Sequence, residues 1–307
     1  MSVKDSPYHI KSIAEYHRFM ELPKPHHPLL TVVNFNEIKR KLDNVPQSII
    51  HYFYSIALKR NFQGKLKYGQ QDFDFDSGMM HFMSPKQLLT IGGHQETNVK
   101  HSGWLLLIHP DFLWNTTLAK KIKGYEYFSY KVSEALYLSE KEEVLVSGIV
   151  QNIEQEYQSS IDSYSQEVII SHIELLLTYS ERFYQRQFIT RKIANHKILI
   201  HLEALLIECC KGSKLAANGF PTVKYVSEKL NVSPNYLSRL LKTLTGQSTI
   251  QIIQDKLIDF AKERLSTTEL SVNEIAYELG FEHPQSFSKF FKIKTNTTPL
   301  EFRNTFN

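Results

Sequence analysis

The chain has 307 residues and a net charge of +4, from 36 Lys and Arg against 32 Asp and Glu. That length predicts two domains, and a composition 42% hydrophobic and 12% aromatic predicts filled cores rather than a disordered chain. From Leu205 onward there are 13 Lys and Arg against 10 Asp and Glu, so most of the small excess lies near the C-terminus, and contact with nucleic acid would rest on local rather than global charge.

The first residues, MSVKDSPYHIKS, lack the apolar core of a signal peptide. Residues from about 29 to 130 read as strand-rich. IIHYFYSIALKR, residues 49–60, is aromatic and β-branched and predicts one buried strand. Gly64, Gly69, Gly78 and the pair Gly92-Gly93 punctuate short apolar pieces such as MMHFM and GWLLLIHP, the pattern of a sandwich or barrel. The longest apolar run, residues 104–108, is far too short to span a bilayer, so no membrane partner is expected. His51, Tyr52, Phe53, Tyr54, Tyr68, Trp104 and His109 are candidates to line an internal pocket. Strand alternation turns about half of such residues inward without saying which half, and ordinary core aromatics are the competing reading.

Nine of the 13 histidines precede residue 110, yet they form no ligand pattern. His26 and His27 are adjacent and project differently, and Gly92-Gly93-His94-Gln95-Glu96 stands alone. A facial metal triad needs three converging ligands. No metal, cofactor or catalytic residue is expected, and no nucleophile motif or phosphate-cradling loop is present.

Residues 139–187 change to helical periodicity. Val146, Ile149, Ile153 and Tyr157 form one stripe; Ser159 to Ser165 is a turn. Ile169, Ile173, Leu176 and Phe183 form a second stripe, widened by Leu175, Leu177 and Tyr179. A helix apolar over more than one face packs on its own domain and on something else. A second copy of the chain is the economical partner; burial within one domain is the alternative. Residues 187–197 are basic and read as a linker. Residues 198–210 form the next helix, ending in adjacent Cys209 and Cys210. Neighbouring cysteines bridge only with strain, so they are expected as thiols in a reducing cytoplasm.

The C-terminal part writes one segment twice. VSEKLNVSPNYLSRLLK, residues 226–242, aligns with IAYELGFEHPQSFSKFFK, residues 275–292, with one inserted residue in the second turn. Ser227 and Ala276 are the small residues at a helix crossing. Asn231 and Gly280 are the turn residues that tolerate positive φ. Ser233-Pro234 and Pro284 start the second helices, and Ser271-Val-Asn-Glu274 is a capping box. Each copy therefore predicts a helix-turn-helix, the first at about 222–243 and the second at about 270–293. Spacings of three and four set Tyr236, Leu237, Leu240 and Leu241 against Asn235, Ser238, Arg239 and Lys242. They likewise set Phe287, Phe290 and Phe291 against Gln285, Ser286, Ser288, Lys289 and Lys292. These polar sets are the candidate DNA-binding residues, because such side chains hydrogen-bond base edges and phosphates. A solvated helix surface is the competing reading of either face alone. Between the copies, a capping box at Ser248–Gln251 opens a helix with the stripe Ile250, Ile253, Leu257, Phe260 or Ala261, and Leu265. Its length suits two reading helices set on two successive major-groove segments of duplex DNA. Thr298-Pro299-Leu-Glu301 caps a last short helix.

IAYELGF at 275–281, FSKFFK at 287–292, Thr298-Pro299 and Phe302-Arg303 resemble the signature of the AraC/XylS family of bacterial transcription regulators. One departure is Asn296, where that family usually has Gly. The resemblance covers about the last hundred residues. It implies an AraC-type DNA-binding domain at 198–307, preceded by a cupin-like regulatory domain at 1–138 and a helical dimerisation hairpin with linker at 139–197. The expected fold is thus α+β: a cupin-like β-barrel and hairpin, then an all-α domain with two helix-turn-helix motifs. The expected function is a cytoplasmic, homodimeric, effector-responsive activator of transcription, with a small-molecule effector and RNA polymerase as further candidate partners. A ligand-independent regulator and a cupin-type enzyme fused to a DNA-binding module are the alternatives.

Overall fold

The computed structural model describes residues 7–39, 48–60, 78–90, 102–131, 134–159, 162–190, 192–210, 215 and 219–305. Short apolar segments in the first half form β1 (Tyr8–Ile10), β2 (Leu30–Asn34), β3 (Ser48–His51), β4 (Tyr54–Arg60), β5 (Met79–Met83), β6 (Leu88–Thr90), β7 (Ser102–Ile108) and β8 (Leu136–Tyr137). They build two sheets, ordered β1-β3-β6 and β2-β7-β4-β5-β8. All pairings are antiparallel except β1 with β3. Among the described residues neither sheet closes into a barrel; β2 and β8 are the edges of the larger one. Of the punctuating glycines, Gly64, Gly69, Gly92 and Gly93 lie outside the described residues, as do Tyr68, His94 and Glu96.

The single strand expected over residues 49–60 is two. β3 ends at His51, β4 begins at Tyr54, and they belong to different sheets. No Gly or Pro marks the break, and the apolar alternation runs through it. Ile49, Phe53 and Ala57 share one core with Ile10, Val33, Leu105 and Leu107, and with Ile13, Tyr16 and Phe19 of α1 (Ile13–Phe19). That core joins the small sheet and α1 to one face of the large sheet.

Helices cover the other face. After the short α2 (Leu118–Lys121) come α3 (Glu140–Gln158) and α4 (Ser165–Thr190). Ser139 and Glu142 form a reciprocal capping box at the start of α3. Val146, Ile149, Ile153 and Tyr157 are buried as the periodicity predicts. The backbone N–H of Val32 donates to the Tyr157 hydroxyl at 3.0 Å, and Trp104 Nε1 donates to Ser147 Oγ at 3.1 Å. The pocket candidates therefore divide. His51 and Phe53 lie between the sheets, stacked with ring centroids 5.1 Å apart. Trp104 lies on the helical side with Tyr54, whose ring meets Phe128 edge-on. His109 caps a 3-10 turn, accepting from Asp111 N. These residues do not converge on one cavity.

On α4, Ile169, Ile173, Leu176, Leu177 and Phe183 are buried, while Val168 and Leu175 are exposed. The linker expected at 187–197 is helical instead: α4 continues to Thr190 and α5 (Lys192–Cys210) follows. Lys, Arg and Gln are good helix formers, and nothing in that segment breaks a helix. Gln187 is buried, accepting from Tyr137 N at 2.8 Å and donating to Ala135 O at 3.1 Å. Cys209 and Cys210 are not disulfide-bonded. Burial, first, and the neighbouring Cys209 push the Cys210 thiol up to about 11. No described helix is long and apolar enough to cross a membrane.

The chain divides into two compact units, Met1–Gln187 and Phe188–Asn307. The second holds α5, α6 (Val223–Lys229), α7 (Pro234–Thr245), α8 (Thr249–Thr267), α9 (Val272–Glu278), α10 (Pro284–Thr295) and α11 (Pro299–Arg303). Leu257, Ala261 and Leu265 of α8 pack with Ile275, Ala276, Phe287 and Phe291 in one core. Full burial of a Phe such as Phe287 contributes roughly 2–3 kcal/mol.

Candidate nucleic-acid interface

The two copies fold alike in detail. α6 and α9 have 7 residues each, and α7 and α10 have 12. The crossing residues Ser227 and Ala276 are fully buried, which lets each helix pair approach closely. Leu230 and Leu279 end the first helices. Asn231 and Gly280 follow with φ of 56° and 81°, as the turn requires. Asn231 N donates to Glu228 O and Val232 N to Ser227 O; Gly280 N donates to Tyr277 O and Phe281 N to Ala276 O. Only glycine fits the second turn. A Cβ on Gly280 would stand 2.5 Å from the carbonyl oxygen of Leu215.

The repeat reaches further than its sequence shows. α7 ends on Gly246 (φ 75°) and α10 on Asn296 (φ 61°), both left-handed caps. Asn296 thus serves the geometry of the glycine it replaces. Two residues on, Ser248 with Gln251 and Thr298 with Glu301 form matching capping boxes that open α8 and α11. Thr222 caps α6 by accepting from Tyr225 N, as Ser271 caps α9. The polar spacing of these caps was the signal in the sequence that would have extended the repeat. Hydrogen bonds from Ser271 hold the Glu274 carboxyl below its usual range, and those from Thr298 do the same for Glu301.

Both second helices turn a polar face outward. On α7, Asn235 and Lys242 are exposed, and Ser238 and Arg239 are half-buried at the borders of that face. Ser238 Oγ lies 3.2 Å from Thr249 Oγ1, and Lys242 Nζ donates to Gly246 O at 2.8 Å. The Arg239 guanidinium carbon lies 5.9 Å from the centroid of the Phe188 ring. On α10, Gln285, Ser286, Lys289 and Lys292 are exposed and Ser288 is half-buried. Each helix thus presents two cations, from Arg239 and Lys242 and from Lys289 and Lys292. Each also begins with a proline at its first position, where the missing N–H would have had no partner within the helix.

α8 joins the two motifs. Its 19 residues span about 28 Å. Ile253, Leu257, Ala261 and Leu265 are buried as expected, but Ile250 is 56% exposed. In that first turn Thr249, bonded to Ser238, points inward instead. Asp255 grips both motifs: Gln247 Nε2 donates to one carboxylate oxygen at 2.8 Å and Lys294 Nζ to the other at 3.0 Å. Arg264 pairs with Glu278 at 2.6 Å, and Arg303 Nε donates to Leu265 O at 3.1 Å, fixing α9 and α11 to the same helix.

A helix-turn-helix domain family matches residues 226–305, which is the repeat with its extensions. The chain is 32% identical over 82 residues to the regulatory protein SoxS of Salmonella typhimurium, an alignment covering 27% of this chain and 77% of SoxS. It is 29% identical over 143 residues to the HTH-type transcriptional regulator YfiF of Bacillus subtilis, covering 46% of this chain and 42% of YfiF. It is 32% identical over 81 residues to histidine kinase P4 of Formosa agariphila, covering 26% of this chain and 6% of the kinase. The chain therefore spans less than half the length of YfiF and a small fraction of the kinase.

Proposed function

The chain belongs to the AraC/XylS family of transcription regulators, and from that premise we propose that it regulates transcription by reading duplex DNA at two adjacent major-groove segments. The observation that carries this reading is the matched pair of outward polar faces on α7 and α10, joined by one helix of about 28 Å. Lys242 and Lys292 hold phosphates; Asn235, Ser238 and Arg239 face bases in one segment, and Gln285, Ser286 and Lys289 in the next. Asn231 and Gly280 set the angle between the helices of each motif.

The unit before Phe188 is the regulatory half in this proposal, with residues 1–138 as a cupin-like effector domain and the helices from residue 139 onward as the dimerisation hairpin. Response to a small molecule is supported by a polar group in the apolar space between the sheets. His51 is buried among Tyr16 and Phe53, and among the described residues neither of its ring nitrogens has a hydrogen-bond partner. A homodimer through α4 is supported by Val168 and Leu175, one heptad apart and both exposed. Activation, with RNA polymerase as partner, is the mode proposed. The reading makes the chain a regulator rather than an enzyme.

Selection of sites from a randomised duplex pool with the full chain, at physiological salt, tests the central claim. The expected result is a motif of two blocks about one helical turn apart, roughly 10 base pairs. Recovery of no motif, with weak salt-sensitive binding only, would refute it. Thermal shift against small-molecule libraries tests the effector, because a ligand bound only to the folded form raises the melting temperature. Sedimentation of the full chain against its Leu175→Glu variant tests the dimer.

A further inference from the structure

Phe188 is fully buried at the end of α4 and lies well before the segment that the helix-turn-helix family matches. Its ring meets Tyr236 edge-on, with centroids 5.2 Å apart and planes at 63°. The Arg239 guanidinium lies over the same ring, 5.9 Å from its centroid. The backbone carbonyl of Phe188 is held in turn by Asn195 Nδ2 from the first turn of α5. All four residues belong to the second unit. Tyr236 and Arg239 are three apart on α7, so both project to the side where the ring stands. The second motif has no such arrangement: Ser286 and Lys289, at the equivalent positions, are exposed to solvent.

We infer that Phe188 is a specificity-determining positioning residue, a platform that holds Arg239 in the orientation for reading its base. The inference rests on the proposed DNA-reading role of Arg239. A guanidinium drawn over a ring by cation–π attraction is restrained, and its N–H donors lie along the edge of its plane. That edge is the part that pairs in bidentate fashion with O6 and N7 of a guanine in the major groove. An unsupported arginine loses rotamer freedom when it binds; one already laid on a ring loses less, so the gain goes to discrimination between bases. DNA reading by the first motif therefore depends on a residue that precedes α5, and the second motif reads without this support.

The test uses the full chain and the duplex recovered from the randomised pool, with every base pair varied in turn. Phe188→Leu keeps apolar volume against Tyr236 and removes the π face; Phe188→Tyr keeps both. Arg239→Lys keeps the charge and removes the planar guanidinium. The expected result is that Phe188→Leu and Arg239→Lys each lower discrimination at one position of the first block by about five- to tenfold. The second block is unchanged, and Phe188→Tyr retains wild-type discrimination. Wild-type discrimination in Phe188→Leu would overturn the inference and leave Phe188 as core filling. So would an equal loss in both blocks, which marks a fold defect. If Phe188→Leu does not fold, Phe188→Met, which keeps apolar bulk without a π face, takes its place: a loss confined to the first block supports the platform and wild-type discrimination overturns it. Arg239→Ala separates the two levels: no change in base preference there refutes the reading role of Arg239 itself, whereas a change there without one in Phe188→Leu refutes only the platform.

Discussion

The two helix-turn-helix motifs are copies in backbone and differ in support. The first is braced from outside itself, by Phe188 against Tyr236 and Arg239. The second is braced by a cluster of rings, with Phe281 against Phe287 and Phe290 of its own motif and against Phe220, and Phe291 against Phe302 of α11. Matched caps and turns specify the shape of each motif. The rings around it specify how rigidly its reading helix is held. The pairing of Asn231 with Gly280 shows the same division, because one turn is open enough for a side chain and the other is packed against a carbonyl.

The largest expected break in that comparison is Gly280→Ala. A left-handed conformation and a Cβ at 2.5 Å from Leu215 O act together, and destabilisation of about 3 kcal/mol or more is expected. Asn231→Ala, which keeps the left-handed strain but meets no such clash, should cost about 1–2 kcal/mol. Equal denaturation midpoints for the two variants would show that the turns are equivalent.

Acid extends the comparison to the two units. Burial pushes the His51 imidazole down to about 4 from an ordinary value of 6.5. The neutral ring is the one that fits the fold, so stability is full above pH 6.5 and is lost as pH falls from there towards 4, by roughly 3 kcal/mol in all. Unfolding of the first unit, followed by the fluorescence of Trp104 and Trp114, should become acid-sensitive in that window. His51→Phe should remove its share of the sensitivity and leave that of His81, whose imidazole is also pushed down to about 4 by burial, first, and by the neighbouring Lys59.

Smaller effects sharpen the contrast between the reading helices. Arg239→Ala should cost roughly 1–3 kcal/mol of binding and relax one base position, whereas Lys292→Ala should weaken all sequences evenly and lower the salt slope by about one. Titrations at several salt concentrations separate these two patterns. Ser238→Ala, which removes the contact with Thr249, should cost about 1 kcal/mol of stability. Ser288→Ala should fall within about 0.5 kcal/mol of wild type.

What could be read from the residues was local. Ser248, Ser271 and Thr298 announce helix starts because their partners lie three residues away, and Asn231 and Gly280 announce turns through their own backbone freedom. The break at Tyr52-Phe53 was invisible because the alternation of Ile49, His51, Phe53 and Ala57 continues across a change of sheet. The helical form of residues 187–190 and 192–197 was not legible because basic residues without Gly or Pro are as good in a helix as outside one. The Phe188 platform left no signal, since it joins a ring to a guanidinium some fifty residues along the chain. Ile250 misled because a helical stripe says which residues share a face, not where the neighbouring surface ends.

Asp255 gives the domain the character of a ruler. One carboxylate fastens the end of the first motif through Gln247 and the end of the second through Lys294, on a spacer helix too short to flex freely. An operator with one base pair inserted between its two blocks would move the second block by about 3.4 Å and rotate it by about 34°. The protein has no joint there to follow that rotation. Such an operator must bend or twist to be read, and the strain energy of the DNA then becomes part of the recognition.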